Sequence, residues 1–234
     1  MAGSRAIPIY VERGEKRTFA GAIEWPGWCR GGKDDGSAVQ ALLESGPRYA
    51  LVVAHSRLGF RAPLNVGTFD VVERLRGNAT TDFGAPGTPP KADDREVDAA
   101  ELRRLRAIVQ ACWRAFDDAV KGARGRTLAK GPRGGGRPLL GVVKHVLEAD
   151  GGYLSALGWK YKLETTSPHG LEPTRGAMLE GLAASARGEI PATGPRGGRR
   201  WKPRFFVRRS AWHVLDHAWE IEDRSKPVRP GDAA

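Results

Sequence analysis

Of the five histidines in the 234-residue sequence, three are spaced for shared chemistry. His213 and His217 stand four apart in Trp212-His213-Val214-Leu215-Asp216-His217, so a helix there puts both imidazoles on one face, one turn apart. His145 sits in a separate helical stretch, Val143-Lys144-His145-Val146-Leu147-Glu148. Packed together, two such helices offer three ring nitrogens to one divalent ion. Three protein ligands leave a coordination position for water or substrate, as catalytic sites do. Asp216 and Glu220 lie beside the pair and Glu148 one turn from His145, placed to orient the free ring nitrogens. No residue is assigned as catalytic acid or base. His55 and His169 lack ligand spacing.

Periodicity adds a constraint. At about 100° per residue, Arg209, His213, Asp216, His217, Glu220 and Arg224 fall along one helical stripe. Val207, Ala211, Val214, Leu215, Ala218 and Trp219 fall opposite. The histidines are therefore expected to face solvent or a groove rather than the core. His145 has small neighbours on its own face, Gly141, Ala149 and Gly152, which leave room there.

A basic run without acidic residues leads into the same helix: Arg196, Arg199, Arg200, Lys202, Arg204, Arg208 and Arg209. Positive charge at a helix N-terminus opposes the macrodipole, which suits a bound anion. Arg209, Arg204 and Arg200 are the candidate anion-binding residues, with Arg209 nearest the histidine pair.

The elements that must position these groups separate into three textures. Residues 1–76 read as a small α+β domain of order β-β-α-β. Its strands fall at 7–11, 18–25 and 69–75, with a turn at 13–16 and a stop at Pro26-Gly27. Its helix spans 37–55, N-capped by Ser37 and kinked or split at Pro47. Residues 77–96 are a linker by composition. Residues 97–225 carry helical patterns at 98–121, 138–157, 174–187 and 203–224, an all-α four-helix bundle. The run Gly-Pro-Arg-Gly-Gly at 131–135 and again at 194–198 reads as flexible linkage, and the tail 226–234 as disordered.

The placement of His145 on the second of these helices and His213-x-x-x-His217 on the fourth resembles the DinB/YfiT-like metalloenzyme superfamily, over residues 97–224. That resemblance implies a bundle of up-down-down-up topology holding zinc, nickel or a similar ion on these three histidines, in an open groove. It also implies a small thiol substrate, because some members couple low-molecular-weight thiols to electrophiles or isomerise thiol adducts, while the basic run points to an anionic one. A transferase or isomerase is the leading expectation and metal-assisted hydrolysis the next.

In the N-terminal part, Phe19-Ala20-Gly21-Ala22-Ile23-Glu24-Trp25-Pro26-Gly27-Trp28, then a Gly-Gly turn and a helix, resembles the start of a HicB-like domain. No separate DNA-binding segment accompanies it, so a docking or substrate-gating role is expected. The competing class is a non-enzymatic HicB-like, arginine-rich protein contacting nucleic acid or a protein partner.

Composition bounds the rest. The net charge of +11 invites a polyanion, yet arginine outnumbers lysine 28 to 10 amid abundant Gly, Ala and Pro, a chain-wide bias that raises charge without a selected partner. Nucleic acid is thus not the favoured partner, and a homodimer is left open. Cys29 and Cys112 are too few for a disulfide framework and read as buried thiols. With no apolar leader and no apolar stretch long enough for a bilayer, a cytoplasmic protein is expected.

Overall fold

In the computed structural model, residues 6–131 and 136–225 are described. The expected disordered tail and most of the first Gly-Pro-Arg-Gly-Gly run lie outside these residues. Strand β1 (Ile7–Arg13) turns back through Gly14, whose N–H donates to the Arg17 carbonyl at 2.8 Å, into β2 (Thr18–Ala22). A third strand, β3 (Cys29–Gly32), follows the Pro26-Gly27 turn and pairs antiparallel with β2. This strand is not expected from sequence, because Cys-Arg-Gly-Gly carries no β-branched residue to announce it. Helix α1 (Asp35–Val53) then crosses to β4 (Phe69–Arg76), which lies parallel to β1. The sheet order is β3-β2-β1-β4. The chain is α+β, with β-β-β-α-β in place of the expected β-β-α-β.

Two local expectations change in α1. Its N-cap is Asp34 rather than Ser37. Ser37 is the other half of a capping box: its N–H donates to Asp34 Oδ1 at 2.8 Å and its Oγ accepts from the Asp34 N–H at 3.0 Å. The helix also continues through Pro47 rather than splitting there. Gly32 permits β3 to end against the first turn of this helix, since a Cβ there would sit 2.4 Å from the Ala38 nitrogen.

Both faces of the sheet are covered. On one, Trp28 is fully buried, stacks on Tyr49 at 5.9 Å and donates from Nε1 to the Leu42 carbonyl at 3.0 Å. On the other, Tyr10, Phe19, Ile23 and Cys29 pack around Trp212. The segment expected to be a linker is built into this second face. It contains α2 (Ala79–Phe83) and a 3-10 turn (Lys91–Asp94). Buried Glu12 of β1 accepts from Thr81 Oγ1 at 2.5 Å, from the Gly87 N–H at 2.8 Å and from the Thr88 N–H at 3.2 Å. Asp93, 2% exposed, pairs with Arg208.

Four longer helices complete the chain: α3 (Ala99–Gly122), α4 (Leu139–Leu157), α5 (Leu171–Ala186) and α6 (Pro203–Ser225). Helix α6 touches α3, α4 and α5, and buried side chains come from every side of it. One apolar cluster runs from Ile9 and Trp28 of the sheet layer through Phe116 and Leu147 to Ile221, so sheet and helices share a core. Before α6, the second Gly-Pro-Arg-Gly-Gly run is a closed turn, not a loose linker: the Gly194 N–H donates to the Gly198 carbonyl at 2.8 Å. Among the described residues no helix is long and apolar enough to cross a membrane. Both cysteines are buried and unpaired, and burial pushes the Cys29 thiol up to about 12, out of the reactive range.

Candidate metal centre

His145 on α4 meets His213 and His217 on α6, and one ligand nitrogen from each lies within 4.8 Å of the other two. The ring centroids are 4.6 to 5.1 Å apart. His213 Nε2 faces His145 Nε2 at 3.3 Å. For ion–nitrogen bonds of about 2.0–2.1 Å in a tetrahedron, ligand nitrogens stand roughly 3.3–3.4 Å apart. The His145–His213 separation fits such an ion, and a His217 ring nitrogen lies within 4.8 Å of both.

Protonation supports the same donors. Burial lowers the pKa of His145, assisted by the neighbouring His217 and Arg137. Burial lowers His213 further, with His217 and Arg209 next in effect. Both rings therefore stay neutral at ordinary pH, the form that binds metal. Glu220 is held below the usual carboxylate range, first by its hydrogen bond from His217. An ionised carboxylate only accepts, so His217 Nδ1–H donates to Glu220 Oε2 at 2.7 Å. That bond fixes the tautomer, leaving the His217 Nε2 lone pair for an ion.

The histidines are not on an open face. His213 and His217 are 7% and 8% exposed, and only His145 is half-buried. The helical wheel locates the stripe opposite the main apolar arc correctly, but α4 rather than solvent covers it. Around the cluster, Tyr153 lies two turns beyond His145 and packs its ring edge-on against His213 at 5.6 Å. Tyr153 also meets Trp201 at 5.3 Å, and Trp201 lines a cleft of about 1180 Å³ bordered by residues 94–98 and by parts of 185–203.

No protein-family model, curated protein or solved structure matches the chain. The site stands on its own geometry.

Of the three acids expected to orient the ligands, Glu220 does so. Asp216 instead bridges to Arg30 of β3 at 3.1 Å, and Glu148 reaches Lys144 at 3.7 Å on the exposed side of α4. Neither is bonded to a histidine. The basic run is also resolved into separate duties. Arg204 is held by Glu101 at 2.5 Å and by the carbonyls of Arg95 and Glu96, Lys202 by Asp94 at 2.9 Å, and Arg208 by Asp93 at 2.7 Å. Acids from residues 93–101 thus supply the negative charge that an external anion was expected to bring. Arg200 lies across Gly158, the left-handed C-cap of α4 (φ +93°), and donates to the Pro191 carbonyl at 3.2 Å. Of this run, Arg209 is the member that lies next to the histidines. It sits with its guanidinium carbon 5.4 Å from the Tyr153 ring centre and 4.7 Å from that of Trp212.

Two participants were missed. Tyr153 is eight residues after His145 on the same face, a spacing that two helical turns make legible. Arg224 donates from Nη1 to Glu220 Oε1 at 2.6 Å and anchors its own fork on the carbonyls of Ala129 and Arg137. Its position four residues after Glu220 was the available signal.

Proposed function

We propose that the chain is a divalent-metal-dependent enzyme of the DinB-like type, in which α3, α4, α5 and α6 form the four-helix bundle. The observation that carries this reading is the convergence of His145, His213 and His217 from two helices into one three-nitrogen set. Zinc or nickel suits imidazole donors. Bound there, the ion would supply a Lewis acid that makes a nucleophile of water or of a substrate thiol near neutral pH. The chain's own part is to hold His145 and His213 neutral, to orient His217 through Glu220, and to brace Glu220 with Arg224. Thiol-dependent transfer or isomerisation is the leading reaction class, with hydrolysis next. The N-terminal layer is a docking or gating module of HicB-like type, and two buried free thiols suit a cytoplasmic setting. The polyanion-binding alternative loses support, because Lys202, Arg204 and Arg208 are engaged with internal acids.

Elemental analysis tests the reading directly. Purified wild type is expected to carry about one ion per chain, as one three-ligand site requires, and His145→Ala and His213→Ala to carry almost none. Equal substoichiometric metal in all three proteins would refute it. Glu220→Gln is expected to keep the ion but to release it to a competing chelator at roughly 10- to 100-fold lower chelator concentration. Unchanged competition would mean that Glu220 does not tune the ligand.

A further inference from the structure

Helices α4 and α6 run antiparallel at the site, since His145 meets His217 and His213 while Tyr153 meets His213 and Arg209. The rows His145, Ala149, Tyr153 and Arg209, His213, His217 therefore face each other as two walls. Ala149 is the small residue between the two larger ones of its row. Arg209 is the distinctive member. The other arginines of α6 each hold a carboxylate: Arg204 with Glu101, Arg208 with Asp93 and Arg224 with Glu220. Among the described residues Arg209 has no acidic partner, and its Nη1 is buried without any acceptor. A buried guanidinium nitrogen left unpaired is costly, and arginine cannot shed its charge to escape the cost. Its position is fixed by the two rings that flank it, Tyr153 and Trp212, so the unused N–H is held in place. Its charge is already felt at His213.

We infer that Arg209 is the receptor for an anionic group on a small molecule whose other end occupies the open coordination position at the three histidines. This rests on the metal reading above. One helical turn separates Arg209 from His213, a backbone rise of about 6 Å, so the ligand's two ends are a short span apart. A thiol or hydroxyl compound bearing a carboxylate two or three bonds away has that reach. A neutral thiol would leave the Arg209 N–H unpaired.

The test uses cobalt(II)-loaded protein and follows the thiolate-to-cobalt absorption while titrating 3-mercaptopropionate or 2-mercaptoethanol. Wild type is expected to bind the carboxylate-bearing thiol about tenfold tighter or more, the gain of one charge-assisted hydrogen bond. Arg209→Gln is expected to abolish the preference with cobalt still bound. Arg199→Gln, an exposed arginine away from the site, should keep it, which separates a receptor from attraction by net charge. If the glutamine variant fails to take up cobalt, Arg209→Met, which keeps an apolar stem between the two rings, carries the same comparison. Cobalt bound with no preference in wild type, or an equal preference in the Arg209 variants, or an equal loss in Arg199→Gln, overturns the assignment and leaves the metal reading intact. Wild type that binds no cobalt overturns both.

Discussion

Arg208→Met is expected to remove about 3–5 kcal/mol of folding stability, the usual cost of leaving one member of a buried ion pair alone. Arg208 and Asp93 are 5% and 2% exposed. The guanidinium donates Nε and Nη2 to the two Asp93 oxygens, both at 2.7 Å. It also donates to the carbonyls of Ala22 at 2.7 Å and Ile23 at 2.8 Å, where β2 ends. Burial by itself would favour loss of the proton, yet the Asp93 carboxylate more than reverses this and holds the group above its ordinary value. One side chain thus joins α6, the 91–94 turn and the sheet. Its removal strands a carboxylate and two carbonyls in a dry interior. For a chain of this length the loss amounts to roughly 10 °C in melting temperature. The double variant Arg208→Met with Asp93→Leu is expected to recover much of that, because paired removal leaves no isolated charge. A loss below about 1 kcal/mol in the single variant would show that water reaches the pair.

The same pair shows where sequence reasoning stops. Arg208 looks like one more member of a basic run, and Asp93 lies in a Pro- and Gly-rich stretch that reads as linker. The two are 115 residues apart, and no local pattern connects them. Helices α3, α4 and α6 were legible because long apolar periodicities mark them, and β1, β2 and β4 because β-branched residues do. Strand β3 was not, since its pairing depends on β2 rather than on its own residues. Ser37 was identified as a cap, but a box with the aspartate three residues earlier moves the helix start. At the site, helical spacing marked His213, His217 and Glu220, and the four-helix reading with its family resemblance brought His145 to them. The wheel misjudged their surroundings because it contrasts apolar with polar faces, and here a polar stripe is covered by another helix carrying a polar residue of its own. Asp216 and Glu148 were assigned by proximity in sequence, and each found a nearer cation.

Between about pH 4 and pH 7 the wild-type chain carries a term that lowers stability as pH rises, and Asp150→Asn is expected to remove it. Asp150, on α4, is 2% exposed, and burial pushes its carboxyl up to about 7 against the opposing charge of Arg175. Arg175 of α5 already binds both oxygens of Asp117 on α3, at 2.7 and 2.8 Å, so its charge is largely answered there. Tyr153, one turn on from Asp150, is pushed up to about 12, mainly by its own burial, and stays neutral. In the unfolded chain the carboxyl ionises near 3.9. Between these values the folded protein keeps a proton that the unfolded chain has released, so each rise in pH favours unfolding, and the loss is complete above about 7. A displacement of some three pH units corresponds to about 4 kcal/mol. His145 and His213, lowered in the folded state, act in the opposite sense and weaken the fold as pH falls below about 6.5. They are common to both proteins and cancel in the difference. Urea denaturation from pH 4 to 8, with chelator present, should therefore find Asp150→Asn more stable than wild type at pH 8 by a margin that shrinks toward pH 4. Parallel curves across that range would mean that the folded chain already ionises Asp150 in acid, and that its surroundings are wetter than its burial implies.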